Sequence, residues 1–200
     1  MAVARLQMQD VHKRFGATWA LRGVSLTIQP GEVHALVGEN GAGKSTLMKV
    51  LSGAVLPDRG QIWLDGQPFT PRSPLHARRA GIAMIYQELS LAPHLTVMEN
   101  ILLGMEPHWG PWILWTKMRR QAAHALAALD IPDIPLDAPV RQLPIAQQQL
   151  VEIARALAMD CRLLILDEPT SSLTQQEVPK LFSLIPVSYT HLTLPTIYSV

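Results

Sequence analysis

Hydrophobic and polar positions alternate along residues 3–29, with a break at Phe15-Gly16-Ala17. That rhythm predicts two antiparallel strands joined by a turn. The pattern then changes. Val33-His34-Ala35-Leu36-Val37 is a short apolar run feeding glycine-rich chain, as a buried parallel strand would. Lys44 to Ser52 reads as a helix closed by Gly53, Gln61 to Gly66 as a strand and turn, and Ile82 to Tyr86 as a further strand. Between 88 and 140, helical patterns at 96–103 and 116–130 are broken by Pro107, Pro111, Pro132, Pro135 and Pro139. Leu150, Ile153, Ala154 and Leu157 recur at helical spacing and predict an amphipathic helix over 147–158. Leu163 to Leu166 is the next buried strand. The order implies an α/β core with an antiparallel β subdomain and an inserted helical subdomain at about 88–158.

Composition narrows this little. The 200 residues suit one domain with a sizeable core, and the net charge of +1 gives no general pull toward nucleic acid or anionic surfaces. Hydrophobic residues reach 48%, yet no apolar run approaches the roughly 18 residues of a membrane span. The first ten residues lack the apolar stretch of a signal peptide. The single cysteine, Cys161, excludes an intrachain disulfide and lies beside a predicted buried strand, where packing is its expected role. His108 and His124 have no ligand-like grouping.

Candidate chemistry changes the picture more. Gly38-Glu39-Asn40-Gly41-Ala42-Gly43-Lys44-Ser45-Thr46 fits the phosphate-binding pattern G-x-x-x-x-G-K-[ST]. A polyphosphate is a dense anion that needs many aligned donors. Gly41 and Gly43 allow the backbone to curl so that N–H groups point inward, and the following helix adds its positive end. Lys44 is expected at the β- and γ-phosphates, Ser45 on Mg²⁺, and Thr46 at the phosphates. Asp167 closes a hydrophobic strand, where a carboxylate can hold the Mg²⁺ shell. Glu168 beside it is placed to polarise an attacking water as general base.

These motifs, with Leu143-Pro144-Ile145-Ala146-Gln147-Gln148 between them, give the chain a resemblance to the ATPase subunits of bacterial ABC importers, the carbohydrate-importer class in particular. The likeness spans residue 3 to about 185. It is carried also by Ile85-Tyr86-Gln87-Glu88-Leu89, Glu99-Asn100-Ile101, Val151 to Leu157 and Pro169 to Leu173. It implies a P-loop ATPase cassette with ATP and Mg²⁺ as ligands. Phe15 matches the aromatic that stacks on adenine, with an ordinary strand core residue as the alternative. Gln87 matches the glutamine that touches Mg²⁺ or the water and senses the membrane partner. Residues 143–148 match the signature that completes the active site of a facing cassette, from a helix beginning near Gln147. Ser171 to Thr174 match a loop against the opposite domain. The implied partners are membrane permease subunits, a second cassette (the missing C-terminal half of the same chain) and, indirectly, a periplasmic or extracellular sugar-binding protein, with no nucleic acid. The implied location is the cytoplasmic face of the cell membrane. A soluble cassette ATPase acting on ribosomes or DNA is the alternative of another class, and a non-functional fragment a third.

The chain departs from that family where serine is usual and Pro144 stands, which removes a hydroxyl and an N–H, and where the second signature glycine is Ala146. The expectation is a weakened composite site there. The family's histidine after the next strand would fall near Val200; His191 is too early for it. Trp109, Trp112 and Trp115 flank Pro111 and are expected to cap the helical subdomain, an exposed patch for the membrane subunit being the alternative.

The helical pattern stops after Ile185. Val187-Ser188-Tyr189-Thr190-His191-Leu192-Thr193-Leu194-Pro195-Thr196 matches, without a gap, the translation of a transposase sequencing adapter. The expected organisation is therefore a cassette over 1–186, truncated after 185, and a translated adapter tail over 187–200. Such a sheet would be left unfinished with an unpaired edge, which invites aggregation.

Overall fold

A computed structural model of the chain describes residues 3–39, 41–86, 89–129 and 134–167, and the backbone of 196–199. The chain divides into two compact units. One comprises residues 1–84, 161–168 and 192–200, and the other 85–160 and 169–191.

The first unit holds two sheets. Strands β1 (Leu6–Phe15) and β2 (Thr18–Ile28) form the antiparallel hairpin that the alternation predicts. They join β4 (Arg59–Leu64) and β5 (Gln67–Pro68) in the order β2-β1-β4-β5. Leu6, Met8, Val11, Leu21, Ile28, Ile62 and Leu64 point into the core. The alternation of β1 is not strict, and the structure gives the reason. Met8 pairs with Leu26 and Val11 with Val24, so β1 spends three residues where β2 spends two. Asp10 is the extra residue, at φ 50, and this bulge returns Val11 to the buried face. The tight turn between β4 and β5 uses Asp65 at φ 51 and Gly66 at φ 73, the double positive φ of a two-residue hairpin. Asp65 also pairs with Arg5 and Arg162.

The second sheet has the order β3-β10-β9-β6, built from β3 (Val33–Leu36), β6 (Ile82–Ile85), β9 (Leu163–Asp167) and β10 (Thr196–Ser199). Strand β10 runs parallel to both β3 and β9. Helix α1 (Lys44–Leu51) lays Leu47, Met48, Val50 and Leu51 into the core that holds Leu163 and Ile165. One expectation changes here. The run 33–37 is read from sequence as a buried strand, but Val33 and Val37 are exposed. Among the described residues β3 pairs with β10, and its residues alternate between an open face and the core, against which Leu36 packs. The backbone of 196–199 lies between β3 and β9. The short α2 (Pro74–Arg79) starts on Ser73, whose hydroxyl accepts from the His76 N–H, with proline at its first position.

Among the described residues, the second unit is helical with one small hairpin. Helix α3 (Val97–Ile101) opens on a reciprocal capping box between Thr96 and Glu99. Asn100 is fully buried and fastens the preceding loop: its side chain accepts from the Ala92 N–H and donates to the carbonyls of Ala92, Leu95 and Thr96. The hairpin of β7 (His108–Trp109) and β8 (Trp112–Ile113) is absent from the sequence expectation, because its strands are too short to show a period. Helix α4 (Trp115–Ala127) follows, then a 3-10 turn at Val140–Gln142 and helix α5 (Ile145–Ala158). The expected stripe on α5 is incomplete. Val151, Glu152 and Ala156 are buried along with Ile153, Ala154 and Leu157, so the helix is enclosed on most sides.

Candidate functional site

The phosphate-loop segment lies in the first unit, between the end of β3 and the start of α1. Gly43 caps α1 in the left-handed region at φ 91, and a Cβ there would sit 2.4 Å from the carbonyl oxygen of Ala20. Gly41 has φ 84. Only glycine takes such angles without strain, and together they turn successive N–H groups toward one side. The helix's own ladder begins with Leu47 N–H donating to Gly43 O at 2.9 Å. The N–H groups of Lys44, Ser45 and Thr46 therefore stand ahead of it, at the positive end of α1. No acidic side chain occurs in that first turn. The Lys44 ammonium folds back and donates to the Gly38 carbonyl.

A cavity of about 220 Å³ opens at this loop. Glu39 and Gly41 to Thr46 line one side, and Thr18, Trp19 and Ala20 of β2 the other. Its chemistry is that of an anion site with an aromatic wall. A larger concavity of about 420 Å³ lies over Leu56 to Trp63 and Pro68 to Pro71, away from the glycine loop.

Asp167 ends β9 after four buried residues, Leu163 to Leu166, and is itself half-buried. The parallel register sets its level. Asp167 pairs with Ser199, and Ser199 pairs with Leu36 of β3. Asp167 thus stands level with the residue that feeds the loop, two strand spacings away, or roughly 10 Å. A hydroxyl on Ser45 and a carboxylate on Asp167 are both oxygen donors, the set that a hard divalent cation such as Mg²⁺ accepts.

The remaining sequence-selected residues fall as follows. Phe15 is at the end of β1, 49% exposed, with the Lys13 ammonium 5.5 Å from its ring centroid, and it is not part of the cavity wall. Asn40, Gln87 and Glu168 lie outside the described residues, as does the loop at 171–174. Gln147 belongs to the second unit, half-buried in the first turn of α5. That helix starts at Ile145, two residues before the expected point. Pro144 occupies the cap at φ −54 and ψ 151, and its carbonyl accepts from the Gln148 N–H at 3.0 Å. The extended ψ of Pro144 keeps it outside the helix, and its own carbonyl takes the first helical hydrogen bond, so the helix begins directly after it. No side-chain cap bond is present at Pro144. Later on α5, the Glu152 carboxylate accepts from the Ser90 N–H at 2.6 Å and the Ser90 hydroxyl at 2.8 Å.

Trp19 is the residue that the sequence reading misses. It is 40% exposed on the cavity wall, with the Arg14 guanidinium 5.7 Å from its ring and the His12 ring edge-on at 5.9 Å. Its signal was the turn: the strand returning from Gly16-Ala17 brings residues 18–20 back beside Arg14 and Phe15.

Known proteins bear on all of this. A putative ribose/galactose/methyl galactoside import ATP-binding protein 3 of Burkholderia cenocepacia (strain HI2424) is 49% identical over 180 residues, 90% of this chain and 35% of that protein. The ribose import ATP-binding protein RbsA 2 of Escherichia coli O157:H7 is 51% identical, with the same coverage. The chain thus spans about a third of the length of these relatives. Among solved structures, the ADP conformation of an ATP-binding cassette of an ABC transporter superposes with a TM-score of 0.86 at 27% identity, covering 98% of this chain and 81% of the other. A nucleotide-free ATP-binding cassette from an ABC transporter gives 0.85. The α/β fold with its antiparallel and helical subdomains is the fold of those cassettes. The model of the ABC transporter family matches residues 21–171, three-quarters of the chain including both the glycine loop and Asp167, and the chain belongs to that family.

Proposed function

We propose that this chain binds and hydrolyses ATP with Mg²⁺, as the first cassette of a protein that powers carbohydrate import through membrane permease subunits. The observation that carries the proposal is the glycine loop closing on the N-terminus of α1, with Lys44 across it and Asp167 at the same edge of the sheet. The sugar-import reading is supported by relatives 49–51% identical, which are named for the import of ribose or related sugars.

In this reading the N–H groups of Gly41 to Thr46 and the Lys44 ammonium bind the phosphates, Trp19 on the cavity wall faces the base, and Phe15 is the aromatic that the family resemblance assigns to adenine. Ser45 and Asp167, with Gln87, hold the Mg²⁺, which neutralises charge on the phosphates when bound. Glu168 takes a proton from the attacking water. Gln147 and the start of α5 serve the γ-phosphate of a facing cassette, a second cassette in the same longer chain, and the assembly sits on the cytoplasmic face of the membrane. Residues 187–200 we read as translated adapter, on the strength of the ungapped match from Val187 to Thr196.

The test is nucleotide binding and turnover in purified protein. Lys44→Ala is expected to abolish tight ATP binding, and Glu168→Gln to retain binding while stalling hydrolysis. Unchanged affinity in the first variant, or near-normal turnover in the second, would overturn the assignments.

A further inference from the structure

The β7–β8 hairpin presents an aromatic surface that the cassette reading does not use. Trp109 and Trp112 pair directly across the hairpin on either side of Gly110-Pro111, and they are 78% and 72% exposed. Ile113, Leu114 and Trp115 continue the exposed apolar surface into α4. The expectation that these tryptophans cap the helical subdomain therefore does not hold. The hairpin folds as its own small element, closed by Leu114 N–H donating to Pro107 O at 2.7 Å, and its strands are too short to bring the rings back onto the helices. Adjacent exposed indoles of this extent mark an interaction surface.

The start of α4 is basic, with the Glu106 carboxylate beside His108 at the base of the hairpin. Residues 107–128 contain no aspartate or glutamate, while Lys117, Arg119 and Arg120 are exposed along the start of α4, with His108 and His124 at either end. Arg119 also pairs with Asp137. Indole combines an apolar body with one N–H donor, which suits the boundary between headgroups and acyl chains, and neighbouring lysine and arginine favour anionic lipid.

We propose that the hairpin is an interfacial anchor that seats Trp109 and Trp112 among the headgroups of an anionic lipid bilayer, with Lys117 and Arg120 against the phosphates. This contact is separate from nucleotide binding and from any permease. Among the described residues no helix is long and apolar enough to cross a membrane, so the contact is a surface one.

The experiment is co-sedimentation of the purified chain with phosphatidylcholine vesicles, with and without phosphatidylglycerol, alongside quenching of tryptophan emission by brominated lipid. Binding is expected only with phosphatidylglycerol present, accompanied by quenching and weakened by salt. Trp109→Ser with Trp112→Ser is expected to abolish it, and Lys117→Ser and Arg120→Ser each to weaken it about fivefold. The thermal midpoint and nucleotide affinity of these variants should match the parent, because the altered side chains are exposed. Absence of binding, equal binding to zwitterionic vesicles, or binding that survives the double tryptophan substitution would overturn the proposal. So would an effect of the tryptophans seen only when a permease is reconstituted, which would make the partner a protein.

Discussion

Gly41 and Gly43 sit two residues apart in the same loop, yet the structure predicts different penalties for giving each a methyl group. At Gly41 an added Cβ meets nothing within 4 Å, so Gly41→Ala pays only for placing an L-residue at φ 84, about 1–2 kcal/mol. Gly43 carries the same conformational term at φ 91 and a second one. Its Cβ would lie 2.4 Å from the Ala20 carbonyl oxygen and 3.1 Å from a Leu21 methyl, and the first of these is backbone of a paired strand. Forcing that strand away adds about 1–3 kcal/mol, the usual range for overpacking. Gly43→Ala is therefore expected to cost about 2–5 kcal/mol in all, a large part of the 5–15 kcal/mol that holds a domain together. Urea titration of the two variants, compared at matched slope, measures the difference. Equal midpoints, or a lower one for Gly41→Ala, would refute the claim that packing of the loop against β2, beyond backbone freedom, requires glycine at 43.

Further outcomes concern acid stability, the cavity wall and the signature. The Glu32 carboxyl is held below its ordinary value by the Gln29 N–H at 2.8 Å and by His34 at 3.0 Å, and Asp58 by Lys13 at 2.8 Å and the Arg14 N–H at 2.7 Å. A lowered folded value means that the stabilisation is present above the ordinary carboxylate range and is lost as pH falls through the folded one. Stability should drop with acid below about pH 4.5, and Glu32→Gln should make that drop shallower; parallel curves would exclude Glu32 as a contributor. Trp19→Ala should weaken ATP by about 1–3 kcal/mol, the worth of one base–aromatic stack, and leave inorganic tripolyphosphate unchanged. Equal losses for both ligands, measured by calorimetry, would make Trp19 a scaffold for the loop instead. Pro144→Ser restores a hydroxyl and an N–H at the cap of α5 and should raise ATPase rate in a complete transporter; an unchanged rate removes Pro144 as a handicap.

The chemistry-bearing stretches were legible because each is local. Gly38 to Thr46 needs no distant residue to declare a phosphate loop, since glycines, lysine and helix start follow one another along the chain. Leu163 to Asp167 reads as a strand with a carboxylate at its end for the same reason. The misses share the opposite property. The bulge at Asp10 exists because β1 must satisfy β2 and β4 at once, and no count along β1 alone reveals an extra residue. The exposure of Val33 depends on which face of β3 other elements cover, a fact about packing. The start of α5 at Ile145, two residues before the expected point, depends on where Pro144 places the cap.

The sequence by itself determined the loop that would cradle phosphate and the alternation of strand, loop and helix around it, because spacing along the backbone settles these, and its motifs carried the resemblance to the family. Only the tertiary structure decided which side chains share a place. It set Trp19 on the cavity wall through strand pairing and brought Asp167 level with the loop-feeding strand through two parallel registers. It left Trp109 and Trp112 in the open at the tip of a hairpin. Pairing register and burial arise from contacts between residues far apart in the chain, and a local pattern of polar and apolar positions does not encode which of its partners will arrive.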